Sequence, residues 1–66
     1  MYTRYAKLRD QNGLNDLKVA EATNIPASTI YDWKQRSAAT PKAGLSVDKL
    51  QKLAKFFNVP IEYFLE

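Results

Sequence analysis

The sequence predicts an all-α fold of five short helices, on three observations. Apolar residues recur at helical spacing along most of the chain, and no stretch alternates apolar and polar residues as a strand would. Stop signals of the Gly, Asn and Pro type fall between the periodic stretches, at Asn12-Gly13, Asn24-Ile25-Pro26 and Asn58-Val59-Pro60. The 66 residues, 45% of them hydrophobic, define one expected domain over residues 1–66, close to the smallest size at which a core holds without staples.

Taken in order, Thr3 is positioned to cap a first helix running to about Asn12. Tyr5 and Leu8 face inward, with Tyr2 as a candidate third member. Gly13 suits the left-handed residue that follows a helix. Asn15 is a favoured N-cap for a second helix, and Asp16 in its first turn complements the dipole. Leu14 and Val19 hold the two positions of a hydrophobic staple. Val19, Ala20 and Thr23 make the inward face, whereas Leu17 falls off it and either packs under another element, the commoner fate of a single leucine, or marks a contact surface.

The next stretch, Thr23-Asn24-Ile25-Pro26-Ala27-Ser28-Thr29-Ile30-Tyr31-Asp32-Trp33, reads as the turn and second helix of a helix-turn-helix. Asn24 tolerates the positive φ that such a corner requires. Pro26 presets φ for a first helical turn in which its missing N–H is no loss. Ile30 and Trp33 form a narrow apolar stripe on a helix spanning 26–35, leaving Ala27, Ser28, Tyr31, Asp32 and Gln35 outward. A short, well-anchored helix with small or polar outward side chains has the form of a groove reader. An ordinary amphipathic helix with a solvated face has the same pattern, so the flanking elements must decide.

Residues 36–45 carry Pro, Gly, Ser and Thr without a helical stripe and predict a surface loop. Ser46 is placed to cap a fourth helix whose buried face is Val47, Leu50, Leu53, Ala54 and Phe57, with Lys49, Lys52 and Lys55 away from it. Asn58 stops that helix, and residues 59–65 form a last short one with Pro60 near its first turn.

Composition narrows the function. The chain has no cysteine and no histidine, which removes disulfides, thiolate metal sites, the usual general base and the commonest metal ligand. No phosphate-cradling Gly-rich loop and no usefully spaced pair of carboxylates is present, so no catalytic residue, metal or cofactor is expected. No apolar run approaches the ~20 residues of a membrane span. Met1-Tyr2-Thr3-Arg4-Tyr5 lacks the apolar segment of a signal peptide, so a cytoplasmic location is expected. Ten Lys+Arg against seven Asp+Glu give a net charge of +3, which permits a polyanionic partner without requiring one.

The joint spacing of Leu8-Arg9, Gly13-Leu14, Val19-Ala20, Ile25-Pro26, Ser28-Thr29-Ile30, Trp33, Leu50, Leu53-Ala54, Phe57, Val59 and Phe64 resembles the lambda-repressor-like, Cro/repressor type of helix-turn-helix domain. The likeness runs from about Tyr5 to Leu65. It implies a compact five-helix domain that binds double-stranded DNA operators, usually as a homodimer, and represses or activates transcription; a phage or bacterial repressor of the Cro kind is the expected form. By this resemblance the second helix crosses the phosphate backbone and the third enters the major groove. Ala27, Ser28 and Asp32 fall on base-reading positions, with Thr29 and Tyr31 beside them. Asn15, Lys18, Lys34, Gln35, Arg36 and Lys42 are the candidate backbone contacts. Chemically, Ser28 can pair with several bases, Asp32 can accept from cytosine N4, and Ala27 offers a methyl to thymine. Thr29 could equally serve a local helix-start hydrogen bond, and the Tyr31 hydroxyl could equally reach a phosphate. Asp32 faces phosphate unless a base donor or a neighbouring cation meets it.

Four positions depart from the family pattern. Asp16 stands where many members carry Gln. Lys34 stands where members often carry an acid paired to the basic residue of the first helix, so Arg9 is expected to turn either to phosphate or to another carboxylate. Arg36 replaces the usual Gly after the recognition helix, and the loop from Arg36 to Leu45 is longer than the family's. The rival function is a protein-binding module on the same fold, an antitoxin-like partner or an adaptor. Exposed Leu17, Phe56, Tyr63 and Leu65 would suit it. Phe56, Tyr63 and Leu65 would equally suit the dimer surface that a repressor needs.

Overall fold

The indole of Trp33 is fully buried, and the rings of Tyr2 and Tyr5 pack against it at centroid distances of 5.2 and 5.3 Å. Around this aromatic centre the computed structural model, which describes residues 1–65, arranges five helices: α1 (Tyr2–Gln11), α2 (Asp16–Thr23), α3 (Ala27–Ala39), α4 (Val47–Phe57) and α5 (Glu62–Leu65). No strand occurs among the described residues. Helix α2 packs on α3 and α4, while α1 packs on α3 and α5. The core they share is continuous, from Tyr2 and Tyr5 through Val19, Ile30 and Leu53 to Phe64. No helix is long and apolar enough to cross a membrane.

The stop signals work as their chemistry demands. Among the described residues, Gly13, Asn24 and Asn58 are the three with positive φ, at 66°, 59° and 58°. Asn24 and Asn58 are the left-handed C-caps of α2 and α4. Asn15 caps α2 through its side-chain oxygen, which accepts from the Lys18 N–H at 2.9 Å. Ala20 is buried, and α2 crosses α3 with no bulky side chain at that position.

Several boundaries and faces differ from the sequence reading. Helix α1 begins at Tyr2 with Met1 as its N-cap and no side-chain cap, so Thr3 lies inside the helix. Burial of the Tyr2 ring against Trp33 draws the chain into helical register earlier than local capping would. Pro26 is the N-cap of α3, with φ −56° and ψ 135°, rather than its first helical residue. Helix α3 continues through Arg36, Ser37 and Ala38 to Ala39, four residues beyond Gln35. Two alanines and an i,i+4 ion pair between Asp32 and Arg36 favour the extra turn. Its end comes at Thr40, whose extended backbone is what a residue before proline adopts. The loop is accordingly confined to residues 40–46.

Ser46 holds the N-cap position of α4 but makes no side-chain cap bond. Val47 is 62% exposed, because the first turn of α4 overhangs the core and burial starts at Leu50. Leu17 is 60% exposed and packs under no neighbour. Helix α5 is limited to four residues, and Pro60 precedes it in a turn closed by the Tyr63 N–H donating to the Pro60 carbonyl at 3.0 Å.

Candidate nucleic-acid interface

The α2–turn–α3 unit is clamped from behind. Val19 and Ala20 of α2, Ile25 of the turn, and Ile30 and Trp33 of α3 are all buried. Trp33 also donates its indole N–H to the Ala43 carbonyl at 2.9 Å, tying the loop after α3 to the helix it follows. The opposite side of α3 stands free: Ala27, Ser28, Tyr31, Asp32, Lys34, Gln35 and Arg36 are exposed, Tyr31 to 62%. Thr29 is half-buried at the edge of this face, and its N–H makes the helix-start bond to the Pro26 carbonyl at 2.9 Å. Among the described residues, nothing hydrogen-bonds the side chains of Ser28, Tyr31 or Gln35.

The N-terminus of α2 is shaped by a polar cluster that joins it to α1. The Asp16 carboxylate accepts from the Tyr5 hydroxyl at 2.6 Å, from Arg9 Nη1 at 2.8 Å and from the Tyr2 hydroxyl at 3.0 Å. Arg9 also reaches Asp10 at 3.0 Å and the Tyr2 oxygen at 3.0 Å. Of the two partners open to Arg9, the structure therefore selects another carboxylate, that of Asp16. Partial burial pushes the Asp16 carboxyl upward, but the hydrogen bonds from Tyr5, Arg9 and Tyr2 outweigh it and hold the group below the usual carboxylate value. Burial, reinforced by the Asp16 bond, raises the Tyr5 and Tyr2 hydroxyls above the ordinary phenol. Asp16 is thus a structural anion whose charge is met within the domain, which answers its departure from the family's Gln.

Asp32 and Arg36 are joined on the outward face. Arg36 Nε donates to Asp32 Oδ2 at 2.8 Å, and Nη1 donates to the Gly44 carbonyl at 3.2 Å. The neighbouring cation expected for Asp32 is therefore supplied from one turn away. Sequence spacing alone could have shown this, since Asp and Arg at i,i+4 form a standard helical pair.

The remaining candidates divide among separate places. Asn15 and Lys18 are exposed at the start of α2. Lys42 lines a hollow of about 320 Å³ with Met1, Phe64 and Leu65. Phe56, 41% exposed, lines another of about 260 Å³ with Ala22, Thr23, Lys52 and Lys55. Phe56 and Leu65 therefore line different hollows. Tyr63 is half-buried, with the Arg4 guanidinium 5.2 Å above its ring and its hydroxyl making a long bond to the Arg4 carbonyl.

A family model described as helix-turn-helix matches residues 6–64, nearly the whole chain and every element from α1 to α5. No curated protein and no solved structure gives a significant match. The matched span contains the buried clamp, the left-handed corner at Asn24 and the open face of α3, and the chain belongs to the XRE-type, lambda-repressor-like helix-turn-helix family of DNA-binding domains.

Proposed function

We propose that the protein is a sequence-specific transcriptional regulator of phage or bacterial type, a Cro-like repressor or the DNA-binding domain of one, acting in the cytoplasm. The observation that carries this reading is the open face of α3 on a helix held from behind by fully buried Ile30 and Trp33. A helix so fixed presents Ala27, Ser28, Tyr31 and Asp32 to the major groove without having to be ordered first, with Thr29 at the margin. Thirteen residues of α3 are about 20 Å long, enough to lie along one groove face.

Backbone contacts come from both sides of this helix. The first N–H groups of α2 and the Asn15 amide nitrogen, left over from capping, suit a phosphate, with Lys18 beside them. Lys34 and Gln35 flank the recognition face, and Lys42 supplies charge from the loop. The domain measures 26 × 23 × 22 Å, less than one ~34 Å turn of duplex, a size that suits one copy to one half-site and a homodimer to an operator. Of the residues proposed for pairing, Leu65 is the most exposed at 56%, and Tyr63 lies two residues from it on α5. Phe56 lines a different hollow and offers a second, separate contact. The protein acts by binding and carries no catalytic role in this reading.

Exposed Leu17 and the lysine-rimmed hollow beside Phe56 favour one rival, a protein-docking module on the same fold. Salt dependence separates the two. Anisotropy titrations of a labelled random duplex should show log K falling with log salt. Three lysine–phosphate contacts per protomer give a slope of about −2.7. Binding to DNA that ignores salt, or none at low salt, would turn the assignment to protein docking.

A further inference from the structure

We infer that Asp32 and Arg36 act on DNA as one unit, in which Asp32 reads a base amino group and Arg36 positions it rather than contacting phosphate. The inference rests on the DNA-binding reading above and adds a role for each residue. Arg36 is bound on two sides by its own chain, at 2.8 Å to Asp32 Oδ2 and 3.2 Å to the Gly44 carbonyl. The Gly44 carbonyl is itself held in place, because the neighbouring Ala43 carbonyl accepts from the buried Trp33 indole at 2.9 Å. Arg36 is therefore a brace from a fixed loop to the carboxylate.

The brace leaves Asp32 Oδ1 as an acceptor with no partner among the described residues, on a side chain that is 65% exposed. A carboxylate oxygen at that place suits the exocyclic amino group of cytosine. The paired guanidinium lowers the repulsion that a bare carboxylate would meet from the phosphates on either side. Neither Lys34 nor Gln35 is restrained in this way. An exposed i,i+4 pair adds little to global stability, so its variants keep the domain folded, and helix content by circular dichroism shows whether the last turn of α3 persists.

The test compares wild type, Asp32→Ala, Arg36→Ala, Arg36→Lys and the double alanine variant by selection from random duplexes, with circular dichroism confirming the fold. Asp32→Ala and Arg36→Ala should relax preference at the same base pair, each by roughly fivefold or more. The double variant should lose no more than Asp32→Ala alone, and Arg36→Lys should restore part of the preference. The salt slope of Arg36→Ala should equal that of wild type. A slope shallower by about 0.9, with base preference intact, would make Arg36 a phosphate contact and overturn the inference. Relaxation at different base pairs would overturn it as well. Failure of the wild type to select any sequence would remove the DNA reading itself, a distinct result that takes the inference with it.

Discussion

Asp16 lies at the first position of α2, and its three donors come from three residues of α1. Its dipole role follows from position alone, because an acid in a first helical turn is favourable in any context. Its closure around Arg9 does not, because sequence separation says nothing about which of two charged partners a guanidinium reaches. Asp16→Ala leaves two phenol hydroxyls without their acceptor and removes one of Arg9's partners, and should destabilise the domain by about 2–3 kcal/mol in chemical denaturation.

The same cluster sets the pH profile. A carboxylate held below its ordinary value of 3.8 stabilises the fold above that pH, and the gain is lost as acidification passes through the lowered folded value. Tyr5 behaves oppositely. Its raised hydroxyl stabilises the protonated native state below the ordinary 10.0, and the gain is lost as pH rises beyond it. Thermal stability should therefore be flat between these limits and fall on both sides. Asp16→Asn should shorten the difference between neutral and acid stability, and an unchanged acid limb would exclude the carboxylate as its source. Trp33 was legible from its spacing to Ile30, and its full burial makes Trp33→Ala costly by roughly 3–5 kcal/mol. A melt indistinguishable from wild type would contradict that.

Among the elements, the N-cap of α2 and the left-handed corner after it were readable, because capping and left-handed turns depend on residues adjacent in sequence. The Asn24 corner should reject a Cβ-bearing residue that cannot hydrogen-bond locally. Asn24→Ala should cost about 1 kcal/mol while Asn24→Gly costs little, and equal effects would mean the left-handed geometry is not retained. Helix α3 was readable in its buried stripe but not in its length. Residues 36–39 add no apolar anchor, so hydrophobic periodicity ends at Gln35, whereas alanine propensity and the Asp32–Arg36 pair carry the helix to the residue before Pro41. An Ala38→Gly substitution reports on this directly. It should lower stability by up to about 1 kcal/mol in a helix, and should be silent in a loop. The exposure of Leu17 and Val47 escaped the sequence for a related reason. Whether an apolar residue at a face edge is covered depends on what packs there, which local pattern does not encode.

At the scale of the molecule, the fold class and the order of five helices followed from periodicity and stop signals, and the family from the joint spacing of its core positions. The outward face of α3 was legible as the complement of that core. The pairing of side chains across it was not, and neither was the separation of Phe56 from Leu65 into different hollows. Whether this face reads DNA sequence is decided by selection of duplexes from a random pool at low and physiological salt. Two related half-sites about one helical turn apart should be enriched, and the enrichment should survive at physiological salt. A pool that stays random at both salts, with only salt-sensitive background or no binding, would contradict that role.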